Sequence, residues 1–153
     1  MKKRRPGADH TYIYALSCPV TGEVRYVGKS DRPWERLKAH TRWVRSWKRH
    51  ARRKRLFPGY AIPTPDPRTS PKGAWLWSLD KRNLSPRLVV LEQVPADSWR
   101  EAEKRWTERL IRAGHRLTNG ERRSFDARER EEWIMRRASL EGRRVAAAVG
   151  ISS

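Results

Sequence analysis

A chain of 153 residues carrying 36 Lys+Arg against 17 Asp+Glu, a formal net charge of +19, is sized for one domain and attracts polyanions. Nucleic acid is the expected partner, because no long apolar stretch and no Lys/Leu-rich amphipathic helix points to a membrane. One cysteine, Cys18, excludes an internal disulfide, and with only four scattered histidines it makes no zinc cluster; this usage fits a reducing cytoplasm.

Residues 1–10 read as a basic, disordered arm whose polar continuation is unlike a secretory signal. Aromatic and β-branched content predicts strands over 11–17 and 23–28, joined as an antiparallel hairpin by Pro19-Val20-Thr21-Gly22. Alternation places Tyr12 and Tyr14 on one face of the first strand, and Val24, Tyr26 and Gly28 on one face of the second. A helix follows to about residue 50, capped by Ser30 or Asp31, with Pro33 in its first turn and Trp34, Leu37 and Val44 as its core stripe. Arg36, His40, Trp43 and Trp47 fall on the neighbouring face. Eight Lys/Arg lie within residues 42–55, and a proline-rich loop or lid then runs to Pro71.

Helical patterning returns over 72–82 with Trp75, Leu76 and Leu79, and 87–94 reads as a buried strand. Ser98 and Glu101 have the spacing of a capping box, opening a helix to about Ala113 that stops at Gly114. A last helix is expected from about 126 to 144, anchored by Trp133, Ile134 and Leu140. The sum is an α+β fold: a small, mostly antiparallel three-stranded sheet flanked by helices, with a C-terminal helical tail.

Phosphodiester hydrolysis needs a base for water, a cation for developing charge and neutralisation of the leaving oxygen. Tyr14 and Tyr26 are either strand aromatics or part of such a site; Gly28 and Lys29 directly after Tyr26, a close backbone approach plus a charge, favour the second. Arg36 is either one more solvated cation or a bidentate phosphate clamp placed one turn from His40. His40 either tunes a tyrosine or is a surface histidine. On the third helix Trp99, Ala102, Trp106, Leu110 and Ala113 form an apolar stripe. Glu103 lies on its border, half in the core, which suits a hard divalent ion such as Mg²⁺.

Tyr12-Ile13-Tyr14, Tyr26-Val27-Gly28 with Lys29-Ser30, Arg36, Glu103-Lys-Arg-Trp106 and Asn119 occur in the order and rough spacing of a known motif set. By these the chain resembles the GIY-YIG nuclease family, in its phage and homing-endonuclease-like members, over residues 11–120, with a basic and proline-rich insert at about 42–71 and a tail at 121–153. Two positions depart from the pattern: Tyr12 stands where the family's first Gly usually is, and Thr107 where Ile is common.

The resemblance implies a DNA endonuclease using one metal ion, Mg²⁺ or Mn²⁺. Glu103 would hold the metal, Arg36 would stabilise the phosphate, Tyr14 would be the general base, and Tyr26 would orient it or the water. A free tyrosine titrates near 10, so Tyr14 would need help from the metal, Lys29 or His40. Asn119 would make a structural hydrogen bond near Glu103.

Arg42, Arg45, Lys48, Arg49, Arg52 and Arg53, with Lys29, are the expected DNA contacts, on duplex or branched DNA, by a monomer or a DNA-induced dimer. Trp43 and Trp47, interleaved among them, either stack on bases or pack under the proline-rich loop. The alternative function is a binding module of the same fold without catalysis; the complete set Tyr14, Tyr26, Arg36 and Glu103 favours the enzyme. A basic coat protein fits poorly with eight tryptophans and clear hydrophobic periodicity.

Overall fold

A computed structural model describes residues 9–119 together with 131, 132, 134–136, 138 and 139. The basic arm up to residue 8 and most of the expected C-terminal helix, Trp133 and Leu140 included, lie outside the described residues. The elements in chain order are β1 (His10–Ser17), β2 (Val24–Ser30), α1 (Pro33–Leu56), a short 3-10 turn (Pro67–Thr69), α2 (Pro71–Lys81), β3 (Arg87–Pro95) and α3 (Trp99–Arg112). The fold is α+β, with one three-stranded antiparallel sheet in the order β2-β1-β3. Among the described residues no helix is long and apolar enough to cross a membrane.

The central strand β1 is buried on both faces because helices cover both. On one face Ile13 and Val27 pack with Val94 and with Ala102 of α3, flanked by Trp99, Trp106 and Leu110. On the other Tyr14, Leu16 and Leu88 pack with Tyr26, Leu37 of α1 and Trp75 of α2. The period-2 alternation of β1 thus sends Ile13 toward α3 and Tyr14 toward α1 and α2.

Two β-bulges correct the expected alternation of the outer strands. Leu16 pairs with Tyr26 but Ser17 with Val24, so Arg25 is an extra residue and Val24 turns to the α3 face, away from Tyr26. Ile13 pairs with Glu92 but Tyr14 with Val90, which puts Leu91 out of register and sends Leu88 and Val94 to opposite faces. β3 is an edge strand and not a buried one, with Val89 50% and Val90 44% exposed.

The hairpin turn closes through Cys18 N–H to Glu23 O at 2.8 Å and Gly22 N–H to Cys18 O at 2.9 Å, with Gly22 at φ 72°, a conformation that only glycine adopts without strain. His10, expected in the arm, opens β1. α1 extends six residues beyond the expected end, because nothing before Pro58 breaks it, and its 24 residues span about 36 Å.

Its stripe is Leu37, His40 and Val44, whereas Trp34, expected in the core, is 59% exposed. Arg32 occupies the N-cap position without a side-chain cap, and Ser30 Oγ instead accepts from Arg32 N–H at 3.0 Å. The expected capping box of α3 does not form either: Ser98 holds the N-cap position but donates to Asp97 Oδ1 at 2.9 Å. Ala113 is exposed, off the α3 stripe, and Ile134 is 53% exposed.

The proline-rich segment folds back over α1 and α2. Trp43 Nε1 donates to Pro65 O at 3.1 Å, Trp47 packs edge-on against Trp77 with ring centroids 5.6 Å apart, and the Arg68 guanidinium sits over both rings at 4.9 and 4.8 Å. Trp43 and Trp47 of α1 are therefore both engaged by this segment and α2. Arg45 and Lys48 pair with Asp80 of α2, which locks the two helices side by side.

Candidate active site

β1 and β2 set the floor of the site. Their register places Tyr14 directly opposite Gly28, and the rings of Tyr14 and Tyr26 lean over that glycine with centroids 6.1 Å apart. A Cβ at Gly28 would lie 2.7 Å from Tyr26 Cε1, 2.9 Å from Tyr26 Oη and 3.1 Å from Tyr14 Oη. Gly28 is there because the two phenols occupy the space a side chain would need.

α1 supplies the wall. His40 is buried, its Nε2 3.2 Å from Tyr14 Oη, and its ring meets the Tyr26 ring edge-on at 5.7 Å. His40 is thus not a surface histidine. With the imidazole proton on Nε2, His40 donates to Tyr14, whose hydroxyl is then free to donate to Tyr26. Burial, then the positive charges of Lys72 and Arg36, hold the His40 pKa down at about 4, so the ring is neutral at pH 7.

Burial, then the neighbouring Tyr26, push the Tyr14 hydroxyl far above the ordinary phenol range, and Arg36 only partly offsets this. Tyr26 is also raised, by burial and then by the Glu103 charge, but Arg36 and the hydrogen bond from Tyr14 pull it back down. Tyr14 is fully enclosed, whereas Tyr26 is partly exposed. Of the two phenols, Tyr26 is the one that meets solvent.

α2 adds a residue that sequence reading missed. Lys72 Nζ lies 4.6 Å from the centre of the Tyr26 ring, and burial followed by Arg36 lowers its pKa. Arg36 itself is exposed and near enough to act on Tyr14, Tyr26, His40 and Lys72. Among the described residues no carboxylate pairs with Arg36 or Lys72, so the exposed guanidinium and the half-buried ammonium are free to hold an anion together.

α3 packs on the other face of the sheet, and its Glu103 is near enough to act on Tyr26 and to feel Lys29. Glu103 is half-buried, and burial raises its carboxyl pKa while Lys29 opposes the rise. It has no hydrogen-bond or ion-pair partner among the described residues, and Lys29 Nζ instead stacks on Trp99 at 4.9 Å. No group of three or more His, Cys, Asp or Glu gathers among the described residues. A cation here would rest on Glu103, with water and ligand oxygens for the remainder, as Mg²⁺ accepts. Trp106 holds α3 in place by donating Nε1–H to Glu92 Oε2 at 2.7 Å.

Asn119 lies at the opposite edge of β2 and clasps it: Val27 N–H donates to Oδ1 at 2.9 Å, and Nδ2–H donates to Val27 O at 2.6 Å. Thr118 N–H and Oγ1–H donate to Arg25 O at 2.6 and 2.8 Å, and His115 Nδ1 accepts from Val24 N–H at 3.1 Å. The chain after α3 thereby closes the free edge of β2 and fixes the strand that carries Tyr26.

Of the expected DNA contacts, Arg42, Arg49, Arg52 and Arg53 are exposed along α1, Arg53 also lying over the Tyr60 ring at 5.0 Å, while Arg45 and Lys48 are engaged with Asp80. Comparison with models of protein families, with curated proteins and with solved structures finds no match to this chain.

Proposed function

We propose that the protein is a divalent-metal-dependent endonuclease that hydrolyses DNA phosphodiester bonds. The observation that carries this reading is the convergence on Tyr26 of Tyr14, Arg36, His40, Lys72 and Glu103, which with Tyr26 itself come from five elements. The resemblance to GIY-YIG nucleases noted above supports it, as do Arg42, Arg49 and Arg52, exposed along α1 and in no ion pair among the described residues.

Arg36 and Lys72 hold the non-bridging phosphate oxygens, Arg36 by its planar fork and Lys72 as a point charge. The phosphate's negative charge offsets the two cations that depress His40, so His40 becomes a better proton holder once substrate is bound. Tyr26, facing solvent, orients the attacking water and takes its proton as its own hydroxyl proton passes to Tyr14. That of Tyr14 passes to the Nε2 lone pair of His40, which carries its resting proton on Nδ1 for this step. The water-facing role thus passes from Tyr14 to Tyr26, and Tyr14 with His40 holds the Tyr26 hydroxyl in position. Glu103 is the residue that would hold Mg²⁺ or Mn²⁺, whose chemistry is to neutralise charge on the leaving oxygen.

A second reading, a nucleic-acid-binding module that does not cleave, draws on the complete burial of Tyr14 and near-complete burial of His40. Incubation of supercoiled plasmid with Mn²⁺ or with a chelator separates the two. Metal-dependent nicking supports the enzyme, and tight binding without nicking of any duplex or branched substrate supports the module.

A further inference from the structure

The far end of α1 carries an apolar knob where a basic helix would be expected to end in polar residues. Leu56 is 76% and Phe57 61% exposed, side by side at the helix terminus. They border an open groove of about 510 Å³ completed by Arg53, Pro58, Gly59 and Tyr60. Unlike apolar residues scattered singly over a surface, these two are adjacent and continue into one groove, the arrangement that contact surfaces use.

The turn that follows is fixed. Tyr60 N–H donates to Phe57 O at 2.8 Å, and the Tyr60 ring stacks on His50 with centroids 5.7 Å apart and planes 14° from parallel. His50 Nδ1 and Tyr60 Oη are 2.5 Å apart, and Arg53 covers the ring. The fold therefore tucks Tyr60 back against α1 while holding Leu56 and Phe57 outward. A backbone turn fixed before contact loses little freedom on binding.

The charge around the knob says what it meets. Residues 42–55 contain eight Lys/Arg and no Asp or Glu, and Arg52, Arg53, Lys54 and Arg55 immediately precede Leu56. An apolar knob ringed by cations suits a duplex, whose backbone is anionic and whose base steps accept apolar wedges. A second copy of this chain would bring the same positive field against itself.

We infer that Leu56 and Phe57 form a base-contacting tip, which enters the stack of a DNA duplex at a fixed distance from the phosphate held at Arg36. This rests on the endonuclease reading for the position of the cut, but not for the contact itself. Twenty residues of helix separate Arg36 from Leu56, about 30 Å, so α1 acts as a ruler that keeps the tip within about nine base pairs of the scissile phosphate.

The test replaces Phe57 in the full chain with photoreactive p-benzoylphenylalanine, irradiates it with a labelled duplex in chelator, and then adds Mn²⁺ to the cross-linked complex. The expected result is cross-links to bases, followed by a nick within about nine base pairs of the linked base. Base cross-links with no nick uphold the tip and sink the nuclease reading. No base cross-link, with or without nicking, or cross-links only to another copy of the chain, overturns the tip. Independently, Phe57→Ser weakens duplex binding roughly tenfold at an unchanged salt slope, whereas Arg52→Ala reduces the slope; unaltered affinity in Phe57→Ser also overturns it.

Discussion

His40 makes the account testable without any substrate. Its pKa falls from 6.5 to about 4 on folding, because the ring is buried and faces Lys72 and Arg36. Between pH 6.5 and about 4 the unfolded chain binds a proton that the folded chain refuses, so folding stability rises with pH across this window. The full shift corresponds to about 3 kcal/mol, and screening by the open side of the site reduces this to on the order of 2 kcal/mol. Lowering the pH from 7 to 4.5 therefore removes most of that stabilisation.

His40→Gln keeps a partner for Tyr14 and does not titrate. Urea unfolding followed by tryptophan fluorescence, run on both proteins from pH 7 to pH 4.5, isolates the difference. Glu103, whose raised pKa acts in the opposite direction, is common to both and cancels. The wild-type midpoint drops with acid more than that of the variant. Parallel pH profiles would mean that His40 is not held neutral by its surroundings, and the proton path drawn through it would fail.

Gly28→Ala inserts a methyl group where both phenols lie, costing about 1–3 kcal/mol by overpacking and displacing Tyr26. Thermal melts and nicking rates both drop, and an unperturbed variant would mean the rings do not cover the glycine. Asn119→Ala strips both hydrogen bonds from Val27, costing about 1–3 kcal/mol and raising amide exchange along β2, whereas unaltered exchange would refute the clasp. Tyr26→Phe slows nicking by roughly a hundredfold or more, and Tyr14→Phe slows it less. The reverse order returns the water-facing role to Tyr14.

What the sequence allowed, and what it hid, follows from the range of each interaction. β1, β2 and the three helices declare themselves because alternation and helical spacing are local, and so Tyr14 lands opposite Gly28 and Arg36 one turn from His40. The bulges at Arg25 and Leu91 are properties of strand pairs, which no single strand reveals, and they move Val24 and Leu88 to faces that simple alternation does not give. Lys72 is one of 36 cations, at the start of a short helix beyond a proline-rich stretch. Only the folding of that stretch over α1 brings it to Tyr26. The sole local hint was that Ser70-Pro71 starts a helix, so its first-turn lysine has a fixed direction. Asn119 was matched to a family motif, but its work on Val27 joins residues 92 apart and is visible only in three dimensions.

The most direct trial of the central claim compares the wild-type chain with Glu103→Ala on supercoiled plasmid across a titration of Mg²⁺ and Mn²⁺. The account predicts nicking that rises with metal in the wild type and is absent from the variant at every concentration, with DNA affinity retained by both. Cleavage by Glu103→Ala at the wild-type rate, or no cleavage by either protein on any DNA tried, would contradict it.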